Sequence, residues 1–178
     1  MSNMLGTTIV AVRKDGKCAV AGDGQVTVGE KIIMKNTAVK VRRIYNSSVV
    51  IGFAGSVADA FTLSLKFESK LEEYNGALMR AAVELVSEWR EGIGARQLEA
   101  MMIAADKDTM VLISGSGEVI ESDNGVLAIG SGGAYAQAAA TALIENTDMS
   151  AREIAERSIK IASEICVFTN SNITIEEV

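Results

Sequence analysis

Residues 7–12 and 17–21 are short apolar runs, rich in β-branched or small side chains, and Arg13-Lys14-Asp15-Gly16 separates them. Asp-Gly between two such runs supplies the left-handed backbone of a tight turn, so this opening predicts a β-hairpin. Residues 31–34, 39–44 and 49–53 read as further strands, with Asn46-Ser47-Ser48 as a turn. Beyond Gly55 the period lengthens. Val57, Ala60, Phe61, Leu65, Leu71 and Tyr74 fall at helical spacing, Ser56 with Asp59 looks like a capping box, and Asn75-Gly76 closes the helix. Leu78, Ala82, Leu85, Val86 and Trp89 mark a second helix. Strand patterns return at residues 100–105, 110–114 and 126–129. An alanine-rich helix follows at 134–145, and the capping box Ser150-Ala151-Arg152-Glu153 opens another that runs through residue 165. Residues 168–176 read as a closing strand. Strands and helices come in blocks rather than in alternation, which predicts an α+β fold with helices layered on mainly antiparallel sheet.

Composition narrows what such a fold can do. The chain has 178 residues, 48% of them apolar, enough for one domain with a substantial core. No linker, low-complexity tract or repeat divides it. No apolar run is long enough to span a bilayer, and residues 1–6 have neither the positive charge nor the apolar stretch of a secretory signal. The expectation is a cytoplasmic protein with no membrane partner. A net charge of −6 argues against nucleic acid, which a basic face would have to bind. The chain has no histidine, so Ser-His-Asp and Cys-His catalysis and His-ligated metals are excluded. An enzyme of this composition must take its base from a carboxylate, a lysine or the α-amino group. Cys18 and Cys166 lie far apart, outside metal-type spacing, and read as reduced core residues.

Several short motifs could carry chemistry. Gly22-Asp23-Gly24 follows the second strand and by itself reads as a turn. The stretch GQVTVGEK (residues 24–31) approaches a phosphate loop. However, Glu30 precedes the lysine and no hydroxyl follows it, so nucleotide binding by this chain is rejected. In Lys40-Val41-Arg42-Arg43, strand alternation sets Lys40 and Arg42 on one face, and an inward-pointing cation there needs a partner, for which Asp23 is a candidate. Gly52-Phe53-Ala54-Gly55-Ser56 and Gly130-Ser131-Gly132-Gly133 are strand-to-helix junctions, where backbone N–H groups can meet an oxyanion. The Gly6-Thr7 step near the start has two readings. The glycine ends a loose terminus, or the bond is cut and Thr7 becomes a new N-terminus.

Taken together, GTTIVAVRKDG, AGDGQVT, MKNTAVKVRR, GFAGSVADAFTL, AIGSGGAYAQAAA, SAREIAE and EICVFTNSNITIEEV resemble the HslV (ClpQ) family, peptidases of a bacterial ATP-dependent protease related to proteasome β-subunits. The resemblance runs in order from residue 6 to 178. It implies an N-terminal-nucleophile fold, a four-layer αββα sandwich, in which residues 1–6 are a leader and 7–178 a single peptidase domain. It implies a threonine peptidase with Thr7 as nucleophile, supported by Asp23, Lys40 and Ser131, with the Gly55 N–H as oxyanion donor. It further implies a double ring of two hexamers, an HslU-type AAA+ ATPase as partner, and unfolded polypeptides as substrates. No organic cofactor is implied. Na⁺ is implied on backbone carbonyls at Ser163, Cys166 and Thr169, with Ser163 in place of a more usual glycine. Many relatives lose only an initiator methionine, whereas this chain would remove six residues, by self-cleavage at Gly6-Thr7. Ala134 stands where many relatives have proline. Two rivals accompany this reading: an N-terminal-nucleophile amidase for small amides, and a non-enzymatic assembly module in which Gly6-Thr7 merely starts a strand.

Overall fold

In the computed structural model, which describes residues 4–29, 31–91 and 99–178, the chain enters as a two-residue strand, β1 (Met4–Leu5). It turns at Gly6 into β2 (Thr8–Lys14) and returns as β3 (Lys17–Gly22). Asp15 and Gly16, with φ of 52° and 75°, form the hairpin turn that sets Lys14 opposite Lys17. Then come β4 (Val26–Val28), β5 (Ile32–Lys35), β6 (Val41–Ile44) and β7 (Val49–Gly55). Helices α1 (Val57–Glu73) and α2 (Leu78–Glu91) follow, and then strands β8 (Ala100–Ala105), β9 (Met110–Ser114), β10 (Val119–Glu121) and β11 (Val126–Gly130). Helices α3 (Gly133–Asn146) and α4 (Ala151–Ile165) precede the last strand, β12 (Thr174–Glu177).

The strands form an antiparallel four-stranded sheet in the order β11-β2-β3-β12, a five-stranded sheet in the order β10-β9-β8-β7-β6, and a small sheet in the order β1-β4-β5. Because successive side chains alternate across a strand, β2 serves two layers at once. Ile9 and Ala11 join Val20, Val41, Val50 and Ile103 between the two large sheets. Val10 and Val12 face the other way, onto Ala136 and Ala140 of α3 and Ile154 and Ile159 of α4. On the far side, Leu63, Phe67 and Leu71 of α1 and Leu78, Ala82 and Leu85 of α2 cover Ile51, Met102 and Ile113 of the five-stranded sheet. The layers are therefore helix, sheet, sheet, helix. A strand buried on both faces has no polar side, which is why Ile9, Val10, Ala11 and Val12 of β2 form an unbroken apolar run.

Of the two expected capping boxes, the one at Ser150 forms in full and the one at Ser56 in half. The Ser150 hydroxyl accepts from the Glu153 N–H while the Glu153 carboxylate accepts from the Ser150 N–H, a complete capping box. At α1 the Ser56 hydroxyl accepts from the Asp59 N–H, and the Asp59 carboxylate accepts from the Glu99 N–H. The expected closing strand at 168–176 is corrected: pairing covers only Thr174–Glu177. Residues 166–173 form a loop instead, because Asn170 and Asn172 direct their amides to neighbouring loops rather than to a sheet face. Strands β1, β4 and β10, each two or three residues long, carry too short a pattern to be read. Of the sequence features singled out, residues 1–3 of the leader and Glu30 lie outside the described residues. Among the described residues, no helix is long and apolar enough to cross a membrane.

Candidate active site

The site forms where β2 begins, β3 ends and the chain enters β6. Asp23 follows β3, and its side chain is 0% exposed. A carboxylate so enclosed needs donors, and it has four. Oδ1 accepts from the Thr8 N–H at 2.7 Å and from Lys40 Nζ at 2.9 Å, and Oδ2 accepts from the Gln25 N–H at 2.9 Å and the Asn170 N–H at 3.3 Å. The Lys40 ammonium, 6% exposed, spends its three protons on Asp23, the Gln25 carbonyl and, at 2.8 Å, the Gly6 carbonyl. Burial pushes the Lys40 pKa below the ordinary lysine value, and the charge and hydrogen bond of Asp23 oppose that fall. The Thr7 hydroxyl donates to the same Gly6 carbonyl at 2.6 Å. The Thr7 hydroxyl and a buried ammonium thus converge on one peptide carbonyl, that of the Gly6-Thr7 bond.

Gly55 and Ser131 border this centre through their backbones. Gly55 has φ of 106°, and a Cβ there would lie 2.1 Å from the Glu99 carbonyl oxygen, so the position admits only glycine. Gly130 is under the same constraint, since a Cβ would lie 2.1 Å from the Thr7 carbonyl oxygen. That close approach lets the Ser131 N–H donate to the Thr7 carbonyl at 2.8 Å. The Ser131 side chain is exposed, and among the described residues the contact with Thr7 runs through the main chain. Thr7, Lys40 and Gly55 line a cavity of about 170 Å³ together with Val26, Phe53 and Phe61. Arg42 of β6 also lines it, with its guanidinium 4.9 Å from the centre of the Phe53 ring. Among the described residues lining it there is no carboxylate.

A family model described as "Proteasome subunit" matches residues 4–178. The chain belongs to the proteasome subunit family. It is 62% identical over 173 residues to the ATP-dependent protease subunit HslV of Listeria innocua, covering 96% of this chain and 97% of that one. A Thermoanaerobacter protein of the same description is 61% identical over 171 residues, with the same coverage. Among solved structures, eukaryotic HslV from Trypanosoma brucei superposes with a TM-score of 0.90 at 46% identity, covering 96% of this chain and 98% of that one. Thiobacillus denitrificans BPH, with a TM-score of 0.72 and 20% identity over 96% of this chain and 97% of its own, shares the fold. The α+β sandwich expected from the sequence is the proteasome-subunit fold.

Within this proteasome-family fold the structure also assembles residues that the sequence reading did not single out for these contacts. The Thr8 hydroxyl lies 2.7 Å from that of Thr169 and accepts from the Gly132 N–H at 2.9 Å, tying the start of β2 to both the Gly130–Gly133 junction and the loop after α4. Gln25 supplies a carbonyl to Lys40, and Asn170 supplies a donor to Asp23. Only motif-level signals, the strings AGDGQVT and EICVFTNSNITIEEV, pointed near them. Ser163 sits in the last turn of α4, where helix carbonyls lack intrahelical partners, and Cys166 and Thr169 follow on the next turn. The Cys166 carbonyl accepts from the Thr169 N–H at 3.1 Å and keeps a second lone pair. Neutral carbonyl oxygens at a helix end are donors of the kind a hard cation takes. Among the described residues no group of three or more His, Cys, Asp or Glu side chains could hold a metal.

Proposed function

We propose that the chain is the threonine peptidase subunit of an ATP-dependent protease, and that Thr7 is its nucleophile once residues 1–6 have been removed. One observation carries the reading: the Thr7 hydroxyl and the Lys40 ammonium meet on the Gly6 carbonyl, at 2.6 and 2.8 Å. Maturation then follows from the geometry. Thr7 Oγ1 adds to the Gly6 carbonyl carbon while Lys40 stabilises the oxygen. The C–N bond breaks as the Thr7 nitrogen takes the proton that Oγ1 gives up, leaving Gly6 as an ester on Thr7. Water hydrolyses the ester and releases the leader with a free carboxylate.

The freed α-amine is the base that a weak hydroxyl nucleophile needs. Such an amine titrates near about 7.7–8.0 when unperturbed, and the Lys40 ammonium lowers it further by like-charge repulsion. Asp23 holds Lys40 in place. In turnover, Thr7 Oγ1 attacks a substrate carbonyl, the oxyanion falls to the Gly55 N–H, and the amine carries the proton to the departing nitrogen. Ser131 orders the amine. Water then clears the acyl-enzyme by the reverse relay. The carbonyls of Ser163, Cys166 and Thr169 would hold Na⁺, which supplies charge to brace the loop that carries Thr169.

Substrates are unfolded polypeptides delivered by an HslU-type AAA+ ATPase to a cytoplasmic double ring of two hexamers. The relatives, ATP-dependent protease subunits, support the ATPase. Exposed apolar side chains on β5 (Ile32, Ile33, Met34) and α1 (Phe61, Leu65) support burial against neighbouring subunits. The test combines intact mass with casein hydrolysis, with and without the ATPase. The expected result is a mature chain that starts at Thr7 and a Thr7→Ala variant that keeps its leader and hydrolyses nothing. Full activity from a chain still carrying residues 1–6 refutes the reading. Turnover of small amides alone turns it into an amidase.

A further inference from the structure

We propose that Asn170 is a positioning residue of this peptidase, a staple that joins the loop bearing Asp23 to the segment leading into Lys40. The inference rests on the function proposed above. Three of the four donors to Asp23 come from its own surroundings, namely Thr8, Gln25 and Lys40. The fourth, the Asn170 N–H, comes from the loop of residues 166–173, far along the chain and without strand pairing. Something must place that loop, and the Asn170 side chain does so from both ends of its amide. Oδ1 accepts from the Gly24 N–H at 3.1 Å and from the Asn172 N–H at 3.1 Å, the second being an Asx turn that stiffens the loop itself. Nδ2 donates to the Asn36 carbonyl at 2.9 Å.

Gly24 adjoins Asp23, and Asn36 lies on the stretch that runs into Lys40. The Ala38 N–H, donating to the Gly24 carbonyl at 2.9 Å, links the same two segments directly. Asn170 therefore bridges an acid and its lysine without touching the reacting atoms. The bridge needs an acceptor and a donor on a one-carbon stem. Aspartate lacks the donor, serine has one oxygen for both tasks, and glutamine is one methylene too long.

Among the described residues, the charged groups around Thr7 are Lys40 and Asp23 behind it and Arg42 on the cavity wall. Asp59 and Glu99 lie beyond Gly55, and the Cys166 thiol lies beside Gly132. Of these, Lys40 is the cation whose position the staple controls. When Lys40 drifts from the amine, the like-charge repulsion weakens and the amine pKa rises. The acid limb of the pH profile then moves to higher pH.

The test is the pH dependence of kcat and kcat/KM for a short fluorogenic peptide, measured on assembled, mature enzyme. Asn170→Ala is expected to lower kcat about tenfold with KM within about twofold, and to move the acid limb upward by about half a pH unit. Asn170→Asp keeps both bonds to Oδ1 and so retains the loop should the alanine variant fail to assemble, and its acid limb moves in the same direction. Asn172→Ala, which removes only the second amide bond to the Asn36 carbonyl, leaves the limb in place. An unmoved limb in both Asn170 variants overturns the inference, whether or not activity falls. An inactive wild-type enzyme would instead sink the peptidase reading.

Discussion

Replacing Asp23 by asparagine isolates what the charge at this position does, because size and shape are kept. Every one of the four contacts to the carboxylate is a donor: the Thr8, Gln25 and Asn170 N–H groups and the Lys40 ammonium. An amide has one acceptor end, so either orientation turns its NH₂ against two of them. Hydrogen bonds to a charged group are worth about 1.5–3 kcal/mol each, and two are converted into donor–donor contacts. The loss is about 3–5 kcal/mol, in the range for breaking a buried ion pair. For a domain of this size that corresponds to a fall in Tm of about 10 °C.

Kinetics report the same change independently. Burial already pushes Lys40 below the ordinary lysine value, and Asp23 is what opposes it. Without that opposition Lys40 gives up its proton at lower pH. The alkaline limb of activity therefore moves down, and kcat falls about a hundredfold. Differential scanning calorimetry and a pH–rate profile with a fluorogenic peptide measure both effects. A variant with wild-type Tm and an unmoved alkaline limb would refute the assignment of Asp23 as the group that keeps Lys40 charged.

Three further outcomes are expected. Thr8→Val preserves shape but strands the Thr169 hydroxyl and the Gly132 N–H, each costing about 1–3 kcal/mol, which a shifted denaturant midpoint would record. Arg42→Ala removes a cation from a cavity whose described lining has no carboxylate. It should raise kcat/KM for peptides with lysine on the acyl side about tenfold relative to leucine, as read from a matched pair of fluorogenic substrates. The Cys18 thiol, raised to about 11 by burial, should resist iodoacetamide at pH 8 in the native protein and react once guanidinium unfolds it, with mass spectrometry as the readout.

The layers of the fold were legible because their signals are local. Asp15-Gly16 encodes the hairpin, Ser150 with Glu153 the start of α4, and the change of period after Gly55 the switch to helix. The pairing of Lys40 with Asp23 was also readable, since an inward-pointing cation demands a nearby acid, although the expected strand at 39–44 begins only at Val41, just after Lys40. The loop of residues 166–173 was not. Its β-branched and aromatic residues favour a strand, and what overrides them is a set of asparagine contacts to residues more than 130 positions away. The Thr8–Thr169 hydroxyl pair was hidden for the same reason: a separation of 161 positions leaves no periodic trace. Strand β4 escaped because three residues are too few to show alternation.

The pairing of β1 with β4 sets Met4 opposite Val28 and Leu5 opposite Thr27, just ahead of the Gly6-Thr7 bond. That bond is presented to its own hydroxyl only when a strand some twenty residues downstream has already formed and Lys40 has reached the Gly6 carbonyl. On the maturation proposed above, excision of the leader would be an event that folding must precede, and each released hexapeptide would certify that one subunit reached its native shape before it gained the power to cut others.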